Sequence, residues 1–344
     1  MDGSLSQPED YRQLHRRVAS SVMVQGSGPE LSFVIPAFNE AENLEPLSRR
    51  LERVCAGLGI DRYEILYVEN GSIDDSEVIL RRLHGGNQRI KMVQLSRNFG
   101  YQGGISAGLA YVRGTWIVVM DGDQQDPPEL IPEMLAKAKQ GYEVVYGIRT
   151  KRQDSLAKRI AYKAFYRLWR ATAQIAVPVD AGDFCVMHRK VVDCINSLPE
   201  RQRFIRGLRS WSGFRQAGIE HERQSRKGGK SKFNLAGMVG LALDGLLSYS
   251  VAPLRFMTFS GLFVASLSFF VGILQAIFRI LNWLGIATIP GILPPGLTQI
   301  NLLVTFLLGF NILCLGIVGE YIGRIYEEVK QRPLFVVKAQ LPEE

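Results

Sequence analysis

The sequence predicts an α/β domain, built on a mostly parallel sheet with helices on both faces, followed by a juxtamembrane helix and two transmembrane helices. Three observations carry this. Apolar runs of strand length alternate with stretches of helical spacing from Leu31 to Tyr146. Each of the first four runs ends in a cluster of polar residues, as strands do at the binding edge of an open sheet. Charged residues then nearly vanish from Phe256 to Val318.

The elements follow in order. Residues 1–28 carry Gly, Ser, Pro and mixed charge with little apolar periodicity, and read as a loosely ordered tail without the apolar core of a secretory signal. Leu31–Pro36 is a first strand and Ala41–Leu58 a helix, with Leu44, Leu47, Leu51 and Val54 on one face. Tyr63–Val68, Ile90–Leu95 and Thr115–Met120 are further buried strands. They alternate with helices at Ser76–Leu83 and Gly103–Arg113. Glu129–Lys139 is helical and Glu143–Tyr146 a short strand.

Ser155–Val177 mixes Lys158, Arg159, Lys163, Arg167 and Arg170 with Tyr162, Phe165, Tyr166 and Trp169. This pattern suits a membrane interface, and equally a core-packed helix with a basic outer face. Asp180–Met187 reads as a loop leading into a strand, and Lys190–Ser197 as a helix. The domain, residues 29–232, closes on Arg226–Phe233, a glycine-containing basic loop whose backbone can approach an anion.

Residues 233–250 form the expected juxtamembrane helix. Val251–Leu281 and Gly296–Ile322 are each long enough to span a bilayer, which takes about 20 residues. The connection Asn282–Pro295 has no Lys or Arg, whereas Lys232, Arg255, Arg324, Lys330 and Arg332 flank the other ends. The positive-inside rule therefore places the domain and the C-terminal tail, residues 323–344, in the cytoplasm. The four cysteines are scattered, with no Cys-x-x-Cys pair, and read as reduced.

The chemistry gathers at the strand ends. Pro36, Asn39 and Glu40 end the first strand; Glu69, Gly71, Ser72 and Asp74 the second; Arg97 and Asn98 the third; Asp121, Asp123 and Gln125 the fourth. Two carboxylates one residue apart, with the Gln125 oxygen, offer hard ligands for Mg²⁺ or Mn²⁺. Such an ion keeps waters and completes its shell with substrate phosphates. Alone, Asp-x-Asp reads first as a solvated turn; three further polar strand ends beside it turn the reading towards a metal–diphosphate site. There is no Gly-x-x-x-x-Gly-Lys-Ser loop, and no Gly-x-Gly-x-x-Gly follows the first strand, which argues against a phosphate-cleaving NTPase and a dinucleotide oxidoreductase. The formal net charge of +8 fits anionic lipid or phosphorylated substrates. Nucleic-acid binding would explain the charge but neither the spans nor the carboxylates.

Several stretches resemble the polyprenyl-phosphate branch of the family 2 glycosyltransferases, which includes dolichyl-phosphate mannose synthase and bacterial undecaprenyl-phosphate glucosyltransferases. They are Val34–Glu40, Leu95–Gly100, Asp121–Glu129, Gly182-Asp183-Phe184, Arg203–Gly207, and Arg226 with Gly229, Ser231 and Lys232. The tail Gly319–Lys330 resembles the bacterial two-span members. The resemblance implies a Rossmann-like glycosyltransferase-A fold in the membrane of a bacterial cell. It further implies a nucleoside-diphosphate sugar donor and inverting transfer to a polyprenyl phosphate such as undecaprenyl phosphate. By resemblance, Asp121, Asp123 and Gln125 hold the metal and diphosphate. Pro36, Asn39, Glu40, Glu69, Ser72 and Asp121 bind the nucleotide; Arg149, Arg159, Arg226, Ser231 and Lys232 meet the acceptor phosphate. Asp183 matches an active-site aspartate that positions sugar or acceptor, or acts as base. A homo-oligomer is also implied.

One departure stands out: Glu69-Asn70 replaces the family's usual Asp-Asp, which touches the choice of nucleotide. Uridine diphosphate-sugar is preferred on resemblance to bacterial members. A processive polysaccharide synthase would carry Gln-x-x-Arg-Trp, which is absent. The competing reading of another class is a non-catalytic, membrane-anchored protein that binds nucleotide-sugar or scaffolds partners.

Overall fold

The computed structural model describes residues 28–150, 181–201, 203–222, 252–285 and 297–342. Strands β1 (Leu31–Ala37), β2 (Tyr63–Glu69), β3 (Ile90–Leu95) and β4 (Trp116–Val119) alternate with helices α1 (Ala41–Leu58), α2 (Ser76–Gly86) and α3 (Gly100–Tyr111). A single 3-10 turn, Pro128–Leu130, leads into α4 (Ile131–Ala138). Then come β5 (Val144–Thr150), β6 (Ala181–His188), α5 (Arg189–Ser197), α6 (Ile205–Trp211) and β7 (Gln216–Glu222). Two long helices, α7 (Ala252–Trp283) and α8 (Leu297–Val329), precede a last strand, β8 (Val337–Leu341).

The strands form one eight-stranded sheet in the order β7-β5-β6-β4-β1-β2-β3-β8. β1 to β5 and β7 run one way; β6 and β8 run against them. The apolar runs are buried on both faces, as parallel strands covered by helices must be. Phe33 and Ile35 of β1 face Leu44, Leu47 and Leu51 of α1. The alternate residue Val34 faces the other way, in a cluster with Ile105 and Leu109 of α3 and Val192 of α5. The small residues of α3 let it lie close: a Cβ on Gly108 would come within 2.2 Å of Val34 Cγ1.

Several expectations shift. The third helix starts at Gly100, three residues earlier than its spacing indicates, and β5 runs on to Thr150. The stretch expected as a loop before β6 is already strand from Ala181, so Asp183 is a sheet residue. Residues 323–344, read as a tail, carry the end of α8 and then β8, which pairs antiparallel with β3. Phe335, just before β8, packs edge-on against Tyr111 of α3 at 6.4 Å between ring centres.

The chain divides into two compact units, one containing the sheet and the residues from Arg332 onward, the other containing the two long helices. In the helical unit, large apolar side chains such as Phe263, Ile312 and Leu315 face outward, more than 60% exposed. Among the described residues one segment, Phe306–Val329 in α8, is long and apolar enough to cross a membrane by length and composition. By that measure one of the two expected spans is found. The tail to residue 27, the helices expected at Ser155–Val177 and Phe233–Tyr249, and the loop Arg226–Lys232 lie outside the described residues.

Candidate active site

The sheet's direction decides what meets at its binding edge. The C-terminal ends of β1 to β4 lie beside the N-terminal end of β6. Val119 pairs with Cys185, and continuing that antiparallel register by two residues sets Asp183 across from Asp121. Asp183 is only 5% exposed. Its partner is Arg206 at the start of α6, whose Nε and Nη2 donate to the two carboxylate oxygens at 2.8 and 2.7 Å. Burial opposes the charge on Arg206, but the bonds and charge of Asp183 outweigh it and raise its pKa above the ordinary guanidinium value. A carboxylate held by both oxygens in this way is fixed in orientation, which suits a positioning role.

Asp121 follows β4. Burial first, and then the charges of Asp126, Asp183 and Asp123, raise its pKa to about 6. Tyr101, in the first turn of α3, works the other way by donating its hydroxyl to Asp121 Oδ1 at 2.5 Å. Asp123 Oδ1 accepts from the backbone N–H of Gln125, which closes the loop on itself. Between them Gln124 adopts φ +60°. Its side chain donates to Asn43 Oδ1 of α1 at 2.9 Å, anchoring the loop from below. Asp126 is fully buried, with His221 Nε2 of β7 at 3.5 Å. The His221 ring stands edge-on to Phe184 and fills the space over Gly147, where a Cβ would come within 2.5 Å of it.

The ends of β1 and β2 are laced together. Asn39 donates its backbone N–H to Ser72 Oγ (3.1 Å) and accepts from the Ile73 N–H on Oδ1 (2.9 Å). The Ala41 N–H donates to Asp74 Oδ2, and the Glu40 N–H to Ser76 Oγ. Glu40 also accepts from Asn43 Nδ2 at 2.5 Å. The Glu69 carboxylate accepts from the Ser72 N–H and is buried. Pro36 lies within β1, close under Gly104 of α3. The structure thus brings Pro36, Asn39, Glu40, Glu69 and Ser72 together, with much of their polar capacity engaged in holding the two loops.

The Asn70 departure has a structural reason. Its amide donates to the Gly100 carbonyl and accepts from the Phe99 N–H, both at 3.0 Å. An aspartate in the same pose would lose the donor. Beside it, Gly71 has φ +71°, and a Cβ there would lie 2.6 Å from the Arg97 carbonyl carbon. Only glycine fits where this loop crosses the next one.

Of the expected acceptor-phosphate residues, Arg149 lies on β5, opposite His221 of β7 in the register. Arg159, Arg226, Ser231 and Lys232 are outside the described residues. Sequence reasoning did not assign Tyr101, Arg206 or the Asp126–His221 pair to the site. For Arg206 a signal existed in the three-residue spacing of Arg203, Arg206 and Arg209. For Tyr101 and His221 no local signal exists.

The edge therefore gathers Asp121, Asp123, Asp126 and Asp183, with Arg206 bound to Asp183 and His221 beside Asp126. Among the described residues no three His, Cys, Asp or Glu side chains form a ready-made metal cage. That donor set fits an ion such as Mg²⁺ or Mn²⁺, which takes one or two carboxylates and draws its other ligands from water and phosphate. The raised pKa of Asp121, caused first by burial and then by the charges of Asp126, Asp183 and Asp123, fits a place where carboxylates are gathered.

Residues 32–195 match the family model for glycosyl transferase family 2. An uncharacterized glycosyltransferase from Synechocystis sp. is 41% identical over 309 residues, 90% of this chain and 94% of the relative. The chain belongs to glycosyl transferase family 2. This glycosyltransferase is also similar to a bactoprenol glucosyl transferase of Shigella phage SfX, at 36% identity over 313 residues, covering 90% of the chain and 99% of the phage protein. Among solved structures, glucosyl-3-phosphoglycerate synthase from Mycobacterium tuberculosis, in complex with Mn²⁺, uridine diphosphate and glucosyl-3-phosphoglycerate, is 20% identical. The match covers 72% of this chain and 87% of that one, with a TM-score of 0.44. By its family the chain is a glycosyltransferase, and its described residues form an α/β fold with a mostly parallel sheet.

Proposed function

We propose that the enzyme moves a hexose, glucose or a close relative, from a uridine diphosphate sugar to a polyprenyl phosphate, with inversion at the anomeric carbon. The observation that carries this is the carboxylate cluster at the sheet edge, in a chain that is similar along 90% of its length to bactoprenol glucosyl transferases. In the proposed reaction an acceptor phosphate oxygen attacks the anomeric carbon. The bond from that carbon to the diphosphate breaks, and the nucleoside diphosphate leaves with the electron pair. The acceptor is already an anion, so no proton has to be removed, in keeping with an Asp183 tied up by Arg206. Asp121, Asp123 and Gln125 would hold Mg²⁺ or Mn²⁺, which supplies positive charge against the departing diphosphate. Pro36, Asn39, Glu40, Glu69 and Ser72 would border the nucleoside. Arg149, Arg159, Arg226, Ser231 and Lys232 are the candidates for the acceptor phosphate.

We also propose a two-span attachment to the bacterial plasma membrane, with the sheet on the cytoplasmic side. Chain connectivity supports it. The segment carrying α7 and α8 leaves the sheet unit and rejoins it through β8. A segment with both ends tied to one unit crosses a bilayer an even number of times. A lone span at Phe306–Val329 would strand β8 on the wrong side of the membrane from β3.

The test is a donor screen with purified protein and undecaprenyl phosphate. Labelled UDP-glucose with Mn²⁺ is expected to give a labelled lipid, and Asp123→Ala to lower turnover by at least about a thousandfold with folding intact. Preference for a guanosine diphosphate sugar would overturn the donor assignment. Normal turnover in Asp123→Ala would overturn the metal assignment.

A further inference from the structure

We propose that Tyr101 is a positioning residue of the donor site, whose hydroxyl fixes the orientation of Asp121 for the metal–diphosphate. The inference rests on the proposed donor site and adds to it a residue that lies on a different element from the Asp-x-Asp loop.

Three features of the geometry support it. The first is how rigidly the phenol is delivered. Tyr101 follows Gly100, which begins α3 at φ +78°. The chain at that point is clamped by Asn70, a 3%-exposed residue at the end of β2 that bonds the Phe99 N–H and the Gly100 carbonyl together. Asn98 Oδ1 also accepts from the Gly100 N–H at 2.7 Å. Gly71 presses against the backbone of Arg97 and Asn98 from the other side. The start of α3 is therefore fixed relative to β2, while Asp121 is fixed at the end of β4. The phenol bridges two elements whose separation the sheet sets.

The second feature is what the side chain does not do. A tyrosine kept for packing buries its ring. Here the residue is 40% exposed, and its hydroxyl bonds Asp121. Removing the oxygen therefore takes little from the core.

The third is the bond itself. The phenol hydroxyl donates to Asp121 Oδ1 at 2.5 Å. A carboxylate surrounded by other carboxylates, with one oxygen held by a donor, is restrained from turning. The bond thus sets which oxygen is presented to the donor site. A hydrogen bond to a charged group that only one state uses changes affinity by about ten- to a hundredfold.

The experiment compares wild type with Tyr101→Phe in the full-length protein. Isothermal titration follows UDP binding with Mn²⁺ and again with EDTA, alongside steady-state kinetics and thermal unfolding. Tyr101→Phe is expected to melt with the wild type and to bind UDP about tenfold more weakly with Mn²⁺, but unchanged in EDTA. The donor KM should rise about tenfold with kcat within about threefold. Equal Mn²⁺-dependent binding by the two proteins would overturn the proposal. So would a loss of the same size in EDTA, which would place Tyr101 directly against the nucleotide or in the fold. If the wild type bound no UDP in either condition, the functional reading would fail, and this inference with it.

Discussion

The Asp183–Arg206 pair offers a direct separation of two roles for the aspartate. The perturbation is Asp183→Asn, with Arg206→Met and the double variant. At 2.7–2.8 Å with bidentate geometry, the gross attraction at an effective dielectric constant of about 20 is about 6 kcal/mol, most of which desolvation offsets. Removing one partner of a buried pair costs about 3–5 kcal/mol because the other is left buried and alone. The Asp183 side chain is 6% exposed and that of Arg206 31%, so water screens the orphaned guanidinium and the lower end, about 3 kcal/mol, applies. Asp183→Asn should lose about that much and Arg206→Met, which leaves the almost fully buried carboxylate alone, about 5 kcal/mol, while the double variant, with no orphaned charge, should lie within about 2 kcal/mol of wild type. Denaturant unfolding in detergent, followed by tryptophan fluorescence, measures all four proteins. Penalties that simply add would refute the pairing. Activity then separates the roles. A positioning pair loses turnover to a similar degree in both single variants. A general base would lose about a hundred- to ten-thousandfold in Asp183→Asn alone, and full activity in Arg206→Met would establish that role instead.

Three further outcomes are expected. Asp121 has a folded-state pKa of about 6 against an ordinary 3.8, so the cation-free fold favours its protonated form, and ionising it lowers stability as pH rises from about 4 through 6. Cation binding favours the carboxylate, so Mn²⁺ affinity should fall about tenfold per unit below pH 6, and Asp121→Asn should remove that slope; a flat titration from pH 5 to 8 would contradict it. Gly71→Ala combines φ +71° with a Cβ 2.6 Å from backbone and should lower stability by more than about 2 kcal/mol, measured by unfolding, while weakening donor binding. Deleting residues 333–344 removes β8 and the bond from the Ser96 N–H to the Val336 carbonyl; a lower melting temperature and reduced donor affinity are expected, and wild-type values for both would show that β8 is dispensable.

The parts of the fold that could be read from the sequence are those with a local cause. β1 to β3 are buried on both faces, so each is an uninterrupted apolar run with polar ends, and its bounds fall within one residue of the reading. The helix α1 matches its spacing end to end because Gly59, in the left-handed conformation, caps it. The start of β6 was hidden because Asp180 to Asp183 is a polar stretch. Its aspartate tolerates a strand only because Arg206, 23 residues on, neutralises it. β7 exposes alternate glutamates, with only Ile219 and His221 turned inward, a pattern too short to separate from a loop. β8 is a strand because β3 offers it an open edge, which no feature of Val337–Leu341 itself reveals.

The site divides along the same line. Asp121, Asp123 and Gln125 were legible because one strand end places all three. The groups that surround this proposed site come from elsewhere in the chain: a phenol from α3, a guanidinium from α6 on Asp183, and an imidazole from β7 against Asp126. Each partner sits on an element whose approach depends on sheet order. Asn70 shows the consequence for reading substitutions. As a residue type it looks like a lost charge in a nucleotide pocket. In place it is the two-sided clamp on Phe99 and Gly100. The departure from Asp-Asp therefore bears first on how Tyr101 and the α3 start are held. Any effect on the choice of nucleotide would have to pass through that loop rather than through a direct contact of Asn70 with the base.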